Sequence, residues 1–158
     1  MSEPSYPDSL LKAEAIDKLA EQRHVHQFNP NAIRHTRSLS DLTGLSRLGL
    51  HLVRVEPGDQ TTRHHYHHYT DEFVYILQGR GIAQIGETEY EIGAGDFMGF
   101  PAQGPAHSMK NPFDDDLLYL MGGNREDFDV VDYPELERRM VIIEGIKQYA
   151  DWQDIDTV

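Results

Sequence analysis

The chain contains no cysteine among its 158 residues. Disulfide bonds and thiolate metal sites are therefore excluded, and any bound metal must use histidine, aspartate or glutamate as its protein ligands. The lack of cysteine also fits a cytoplasmic protein, which is the location we expect. No apolar run reaches the ~18 residues of a membrane span, and the N-terminus shows no basic-then-apolar secretory signal.

Basic residues are scarce relative to acidic ones. The chain has 14 Lys and Arg against 27 Asp and Glu, which gives a formal net charge of −13. This charge would repel nucleic acid and anionic membranes, so we expect neither as a partner. Phosphate-binding loops of the GxxxxGK[ST] type and the Gly-x-Ser-x-Gly nucleophile motif are also missing.

The length favours one domain with its own hydrophobic core. Residues 9–22 predict an amphipathic helix, because apolar residues recur there at helical spacing, with Asp8 or Ser9 as its N-cap. Residues 24–44 predict an irregular arm with a turn at positions 29–31.

From residue 45 the pattern changes to short β-rich runs separated by turn signals. The pattern is typical of an all-β jelly-roll barrel, which leaves few exposed strand edges. We therefore predict an N-terminal helix and arm (1–44), a barrel core (45–121) and a C-terminal extension packing on the barrel (122–158). The predicted strands are 45–55, 72–77, 81–85, 88–92, 96–100 and 116–121, with one further strand at 140–143.

The strongest functional signal is a run of four histidines in five positions, 64–68, followed by Glu72. Side chains two apart on a strand face the same side, so His65 and His67 point together. A strand–turn–strand connection returns Glu72 beside them, and His107 can enter from the opposite sheet. Three imidazoles and a carboxylate suit one divalent ion, Zn, Fe, Mn, Ni or Cu. Such a set leaves positions open for substrate, water or dioxygen.

Two alternatives stay open at this point. The histidines could form a solvated polar strand face instead of a metal site. His64 with Tyr66 is the competing inward pair, although tyrosine is the poorer ligand. Glu72 after the histidine run and His107 in a separate segment favour the metal site. The poorer ligand character of tyrosine favours the pair His65 and His67.

The spacing of these residues resembles the two motifs of the cupin superfamily. Gly58, His65, His67, Glu72 and Gly79 match the first motif, and Gly95, Pro101, Gly104, His107 and Asn111 match the second. The resemblance implies a double-stranded β-helix barrel with a metal bound by the three histidines and the glutamate. The flanking segments, 26–32 and 38–58, are similar to bacterial cupins labelled sugar-phosphate-isomerase-like.

We expect Tyr75, Phe100 and Met109 to line a substrate pocket, since they lie on strands near the ligands and small-molecule sites are largely apolar. The expected function is a metal-dependent enzyme acting on a small polar or carbonyl-containing molecule, isomerase-like or dioxygenase-like, with Glu72 as the catalytic residue. The alternative is a non-catalytic small-ligand-binding or sensor protein. The long N-terminal arm predicts a homodimer, because arm exchange would cover strand edges.

A further interpretation concerns the basic residues of the barrel. An isomerase of phosphorylated sugars needs a basic cluster in its pocket, and nothing in the sequence shows that any two basic residues of the barrel converge. These residues are Arg47, Arg54, Arg63, Arg80 and Lys110.

The histidines outside the two motifs are interpreted as ordinary surface or core residues, namely His24, His26, His35 and His51.

Overall fold

A computed structural model describes residues 9–158, so Asp8, one of the two predicted helix caps, lies outside the described residues. Within that range the chain forms thirteen strands and two short α-helices, an all-β jelly-roll architecture. No helix in the described range is long and apolar enough to cross a membrane.

The N-terminal helix is shorter than predicted. Helix α1 is Ala13–Asp17, and the residue at its N-cap position is Lys12, which makes no side-chain capping bond. The apolar residues of the predicted stripe are exposed or only half-buried. A helix without a buried face gains little from tertiary packing, and short isolated helices are marginal in water. The prediction of a helix over 9–22 with Ser9 as a cap is therefore wrong.

Residues 22–44 are ordered into regular structure, which corrects the prediction of an irregular arm. Strands β1 (Gln22–His26) and β2 (Asn29–Ser38) form an antiparallel hairpin, and helix α2 (Leu39–Thr43) follows. The hairpin turn lies at residues 27–28, because His26 already pairs with Asn29. Pairing of β2 with the next strand of the sheet supplies the partner that stabilises this hairpin.

The barrel strands follow the predicted order, and two short strands are added that carry histidines. They are β3 (Leu48–Val55), β4 (Tyr66–His67), β5 (Glu72–Gln78), β6 (Arg80–Ile85), β7 (Thr88–Gly93), β8 (Phe97–Phe100), β9 (His107–Lys110) and β10 (Leu117–Asn124). The strands predicted at 81–85 and 88–92 correspond to β6 and β7, which pair antiparallel in a hairpin around residues 86–87.

The C-terminal segment is more regular than predicted. Strands β11 (Phe128–Tyr133), β12 (Arg138–Ile143) and β13 (Ile146–Asp151) form an antiparallel meander, with 3₁₀ turns at Pro134–Leu136 and Trp152–Asp154. Strand β11 pairs with β4, so this segment is hydrogen-bonded directly to the histidine run.

Three sheets build the barrel wall. Their strand orders are β1-β2-β3-β10-β5-β8, β7-β6-β9 and β13-β12-β11-β4. The main core is packed between the first two sheets and includes the fully buried side chains of Val53, Ile76, Leu117 and Tyr119. A second apolar cluster joins the C-terminal meander to the N-terminal hairpin through Tyr133 and the ring of Phe28.

The outer face of the six-stranded sheet is also apolar. Leu52, Leu120, Tyr75 and Phe97 lie opposite one another on four adjacent strands and therefore share this face. Phe97 is 64% exposed and Tyr75 is 41% exposed. We call this surface the outer sheet face.

Gly79, the last glycine of the first motif, closes the tight link between β5 and β6. Its φ of +82° lies in the left-handed region, and a Cβ there would meet the Asp116 carbonyl oxygen at 2.2 Å. Only glycine fits both constraints. The link fixes where β5 begins and ends, and with it the position of Glu72 at the start of that strand.

Candidate metal centre

The carboxylate of Glu72 is the meeting point of three histidines. Its Oε1 lies 3.3 Å from Nε2 of His67, and its Oε2 lies 3.0 Å from Nε2 of His107 and 3.7 Å from Nε2 of His65. Ligand atoms of His65, His67 and Glu72 lie within 4.8 Å of one another, so this group could hold a metal ion. The structure therefore brings together all four residues predicted from the sequence.

Strand pairing explains the convergence. His65 and His107 exchange both backbone hydrogen bonds across the barrel wall, at 3.2 and 2.9 Å, so their side chains emerge side by side. Their ring centroids are 4.7 Å apart. His67 lies two residues after His65 and points to the same side, with ring centroids 5.2 Å apart.

The competing pair points elsewhere. The Nδ1 atom of His64 lies 3.1 Å from the Ser108 hydroxyl, and the Tyr66 hydroxyl donates to Asp132 at 3.1 Å. The alternation of side chains along this short run therefore separates His64 and Tyr66 from Glu72, as the preferred register predicts.

Each of the three histidines has its Nδ1 atom beside an acceptor. Nδ1 of His65 lies 2.8 Å from the Arg63 carbonyl, and Nδ1 of His107 lies 3.3 Å from the Pro105 carbonyl. An imidazole that donates from Nδ1 has Nε2 left for a metal ion, which binds there once Nε2 has lost its proton. The donor set and its outer partners thus fit a divalent ion that prefers nitrogen and oxygen ligands.

His67 is oriented by a buried carboxylate. Nδ1 of His67 lies 2.5 Å from Oδ2 of Asp129, on strand β11. Asp129 is 3% exposed and also accepts hydrogen bonds from the Thr70 hydroxyl and from the backbone N–H groups of Tyr69 and Val130. A carboxylate held by this many donors fixes the ring orientation of the histidine it contacts. The sequence analysis missed Asp129.

The electrostatics keep Glu72 ionised. Burial alone would raise the pKa of Glu72, but the hydrogen bonds from His107, His65 and His67 outweigh it and hold the pKa well below its usual range. Burial alone would lower the pKa of His67, whereas Asp129 and Glu72 raise it to about 9. Burial lowers the pKa of His65. The cluster therefore offers an anionic carboxylate to a cation.

A cavity of about 260 Å³ opens beside these residues. Phe100 and Met109 line it, and the Phe100 ring stacks on His107 with centroids 3.7 Å apart and planes within 5°. Tyr75, the third expected pocket residue, lies on the outer sheet face instead. Its neighbours Val74 and Ile76 point inward, and alternation along the strand turns Tyr75 outward.

The chain's two ends supply the rest of the cavity wall. His24, His26 and Arg34 come from the N-terminal hairpin, while Tyr133 and Lys147 come from the C-terminal meander. His24 and His26, interpreted from the sequence as ordinary surface or core residues, are both at this cavity wall. The available sequence signal was their spacing of two, which places both side chains on one face of a strand. The sequence did not show that this face is turned toward the barrel.

Comparisons with known proteins agree with this β-barrel bearing a candidate metal site. A family model described as Cupin domain matches residues 51–122. A solved structure from Acidithiobacillus ferrooxidans, which carries the provisional description sugar phosphate isomerase, is 40% identical. The match has a TM-score of 0.94 and covers 96% of this chain and 97% of that chain. The chain belongs to the cupin superfamily.

Two more distant structures share the fold. One from Silicibacter pomeroyi, described as a sugar phosphate isomerase from a cupin superfamily, is 24% identical with a TM-score of 0.80. That match covers 94% of this chain and 96% of that chain. A predicted oxalate decarboxylase from Thermotoga maritima is 20% identical with a TM-score of 0.59, covering 70% of this chain and 96% of that chain. A search of curated proteins found no match.

Proposed function

We propose that this protein is a metal-dependent enzyme that acts on a small polar or carbonyl-containing molecule. The observation that carries the proposal is the convergence of three Nε2 atoms on the Glu72 carboxylate at the wall of a cavity. A structural metal site is closed, whereas this ligand set faces a space that a small molecule can enter.

His65, His67, Glu72 and His107 would hold the ion. A divalent ion bound there supplies Lewis acidity toward a substrate oxygen. Among the described residues, Glu72 is the one carboxylate that lines the cavity, so it is the chain's own group for accepting or returning a proton. The apolar side chains of Phe100, Met109 and Val131 exclude water from the same space.

Isomerase-like chemistry has the stronger support of the two reaction classes. A 40% identical protein carries the provisional description sugar phosphate isomerase. Isomerisation through an enediol needs a polarised carbonyl and one proton-transfer group, which this cavity offers. Dioxygenase-like chemistry is the second candidate, because three histidines and one carboxylate also suit a redox-active metal.

The test begins with the identity and occupancy of the metal in protein purified without added metal. The same preparation is then assayed for turnover of phosphorylated aldoses and ketoses, and for oxygen uptake with a panel of keto acids. We expect stoichiometric metal and turnover in the isomerase panel. Iron or manganese with oxygen uptake would select the dioxygenase class instead.

The Glu72→Gln variant separates an enzyme from a binding protein. The substitution keeps size and hydrogen-bonding capacity but removes both the base and the anionic ligand of the ion, so we expect a folded protein without turnover. Glu87→Gln, in the exposed turn between β6 and β7, is the matched control and should retain activity. Full metal with no turnover in either panel, together with displacement of a bound small molecule, would support the alternative of a non-catalytic ligand-binding or sensor protein.

A further inference from the structure

The charge of the cavity is opposite to the charge of the chain. The whole protein carries −13, yet the residues lining the cavity include the permanently cationic Arg34 and Lys147 against the single carboxylate Glu72. That carboxylate is already surrounded by three histidines. The part of the cavity away from Glu72 is therefore cationic, because no other lining side chain carries a negative charge.

Arg34 has no carboxylate partner within the described residues. Its Nη1 lies 3.9 Å from the sulfur of Met121, and the side chain also approaches the Tyr119 hydroxyl. Its Nε is buried without a hydrogen-bond acceptor. The other arginine on β2, Arg37, lies 3.5 Å from Glu21. A guanidinium presents five donors in a fixed fork that matches carboxylate and phosphate oxygens. Arg34 is thus a guanidinium at the cavity wall that no carboxylate of the described residues neutralises.

The hairpin directs a second donor to the same place. His24 lies directly opposite Arg34 across the hairpin and shares its face, and His26 follows two residues later on β1. Nδ1 of His26 accepts the Phe28 N–H at 3.1 Å. Burial, together with the charge of Arg34, lowers the pKa of His26 to about 4. The ring is therefore neutral at pH 7, carries its proton on Nε2 and can donate from that atom.

Lys147 adds a charge at the mouth. It lies on β13, is exposed and has no carboxylate within ion-pair distance in the described part of the chain. Burial, and then the charges of Arg34 and Lys147, lower the pKa of His24 and of His26. The cationic groups come from both chain ends, outside the strands that carry the metal ligands.

We propose that the substrate is a small anion whose carboxylate or phosphate group is bound by Arg34 and Lys147, with His26 as a neutral donor, while another oxygen lies at the His65–His67–Glu72 cluster. The inference rests on the proposed function, which it deepens by assigning the substrate class. Hydrogen bonds from arginine and lysine to such groups are charge-assisted and are the strong ones in proteins. The distance between the two ends of the cavity then selects the length of the substrate.

The experiment measures the Kd of inorganic phosphate and of acetate by calorimetry on the metal-loaded protein and repeats both titrations after the metal is removed. Arg34→Gln and Lys147→Gln remove one charge each. Arg23→Gln is the matched control, because it removes one charge from the same hairpin and Arg23 alternates with the cavity-facing His24. Circular dichroism and metal content are recorded for every variant.

We expect Arg34→Gln to weaken binding of the preferred anion about tenfold or more, as a lost charge-assisted bond of at least 1.4 kcal/mol predicts. Lys147→Gln should weaken it severalfold because the ammonium is exposed to solvent. Arg23→Gln should leave it unchanged. The better of the two probes assigns phosphate or carboxylate as the recognised group.

Equal affinity in wild type, Arg34→Gln and Lys147→Gln overturns the proposal, as does failure of both anions to bind at tens of millimolar. Lys147 is exposed, so Lys147→Gln remains informative if Arg34→Gln does not fold. Failure of the metal proposal has a different signature, since wild-type protein would then lack stoichiometric metal while anion binding still depended on Arg34 and Lys147.

Discussion

Asp129 accepts a hydrogen bond from Nδ1 of His67 at 2.5 Å, although 62 residues separate the two in the chain. The contact joins the C-terminal meander to a candidate metal ligand and leaves Nε2 of His67 facing Glu72. A segment that looks peripheral in the sequence therefore orients a residue of the site.

Asp129→Asn is expected to lower metal affinity by about 10- to 100-fold, the usual effect of removing an outer partner of a ligating histidine. The asparagine keeps the size of the side chain but no longer favours the Nδ1-protonated ring as strongly. Chelator competition measures the affinity. Asp127→Asn, exposed two residues earlier, is the control and should bind metal as the wild type does. An unchanged affinity for Asp129→Asn would show that His67 does not ligate the ion.

Replacement of both His65 and His107 by alanine is expected to abolish stoichiometric metal binding. The two rings lie side by side, so the double variant removes adjacent donors from the same wall of the cavity. Elemental analysis of the purified protein measures the loss. His64→Ala, whose ring contacts Ser108 outside the cluster, is the control. Full metal content in the double variant would place the ion elsewhere.

Asp132 is expected to make the fold sensitive to acid. It is 1% exposed and accepts hydrogen bonds from the side chains of Arg139, His68 and Trp152. Burial alone would raise the pKa of Asp132, but these donors outweigh it and hold the pKa below its usual range. A carboxylate with a lowered pKa in the folded state contributes stability above its unfolded pKa, and that contribution is lost as the pH falls.

Denaturant unfolding from neutral pH down to about pH 3 tests this expectation. The free energy of unfolding of the wild type should fall with decreasing pH, and Asp132→Asn should show a shallower slope. At neutral pH the variant should be less stable by about 3 kcal/mol, since it breaks a buried ionic network on one side. Asp114→Asn, in an exposed loop, should match the wild type in both respects. Parallel pH curves for Asp132→Asn and the wild type would contradict the assignment.

We predict a homodimer in which the outer sheet face of one copy packs on that of another. The apolar row across four strands ends at Phe97, which is 64% exposed on the edge strand β8. Burial of such a surface by a second copy removes both apolar area and an open edge from water. Light scattering at tens of micromolar should give twice the chain mass for the wild type.

Phe97→Glu is expected to shift that mass to the monomer, because a carboxylate would be placed in the apolar contact. Tyr90→Glu is the control, since Tyr90 is similarly exposed but lies on β7 of a different sheet. A monomeric wild type would contradict the dimer. A dimer that persists with Phe97→Glu would place its interface on another surface.

The barrel strands could be predicted because their sequences carry their own signals, alternating side chains bounded by glycine or proline. The N-terminal hairpin could not, because β1 is mostly exposed and β2 is held by pairing with β3 rather than by an apolar pattern of its own. Strand β13 is likewise almost entirely exposed and exists through its pairing with β12.

The candidate site divides in the same way. The four candidate metal ligands lie in two motifs whose spacing can be read directly from the sequence. Asp129 reaches His67, and His26, Arg34 and Lys147 reach the cavity, only after distant segments pack together. Their positions depend on contacts that the spacing of residues does not encode. Tyr75 was predicted to line the pocket, but the inward-facing positions of β5 are one residue away, at Val74 and Ile76.

The cavity is shared between the two ends of the chain, and this has a consequence for synthesis. A ribosome delivers all the proposed metal donors by residue 107, but the groups that orient and charge the cavity are completed only with Asp129 and Lys147. A nascent chain arrested between these points would expose histidines without their final partners. On the proposed function, selection of the ion and of the anion would begin only when the last strands have joined the barrel.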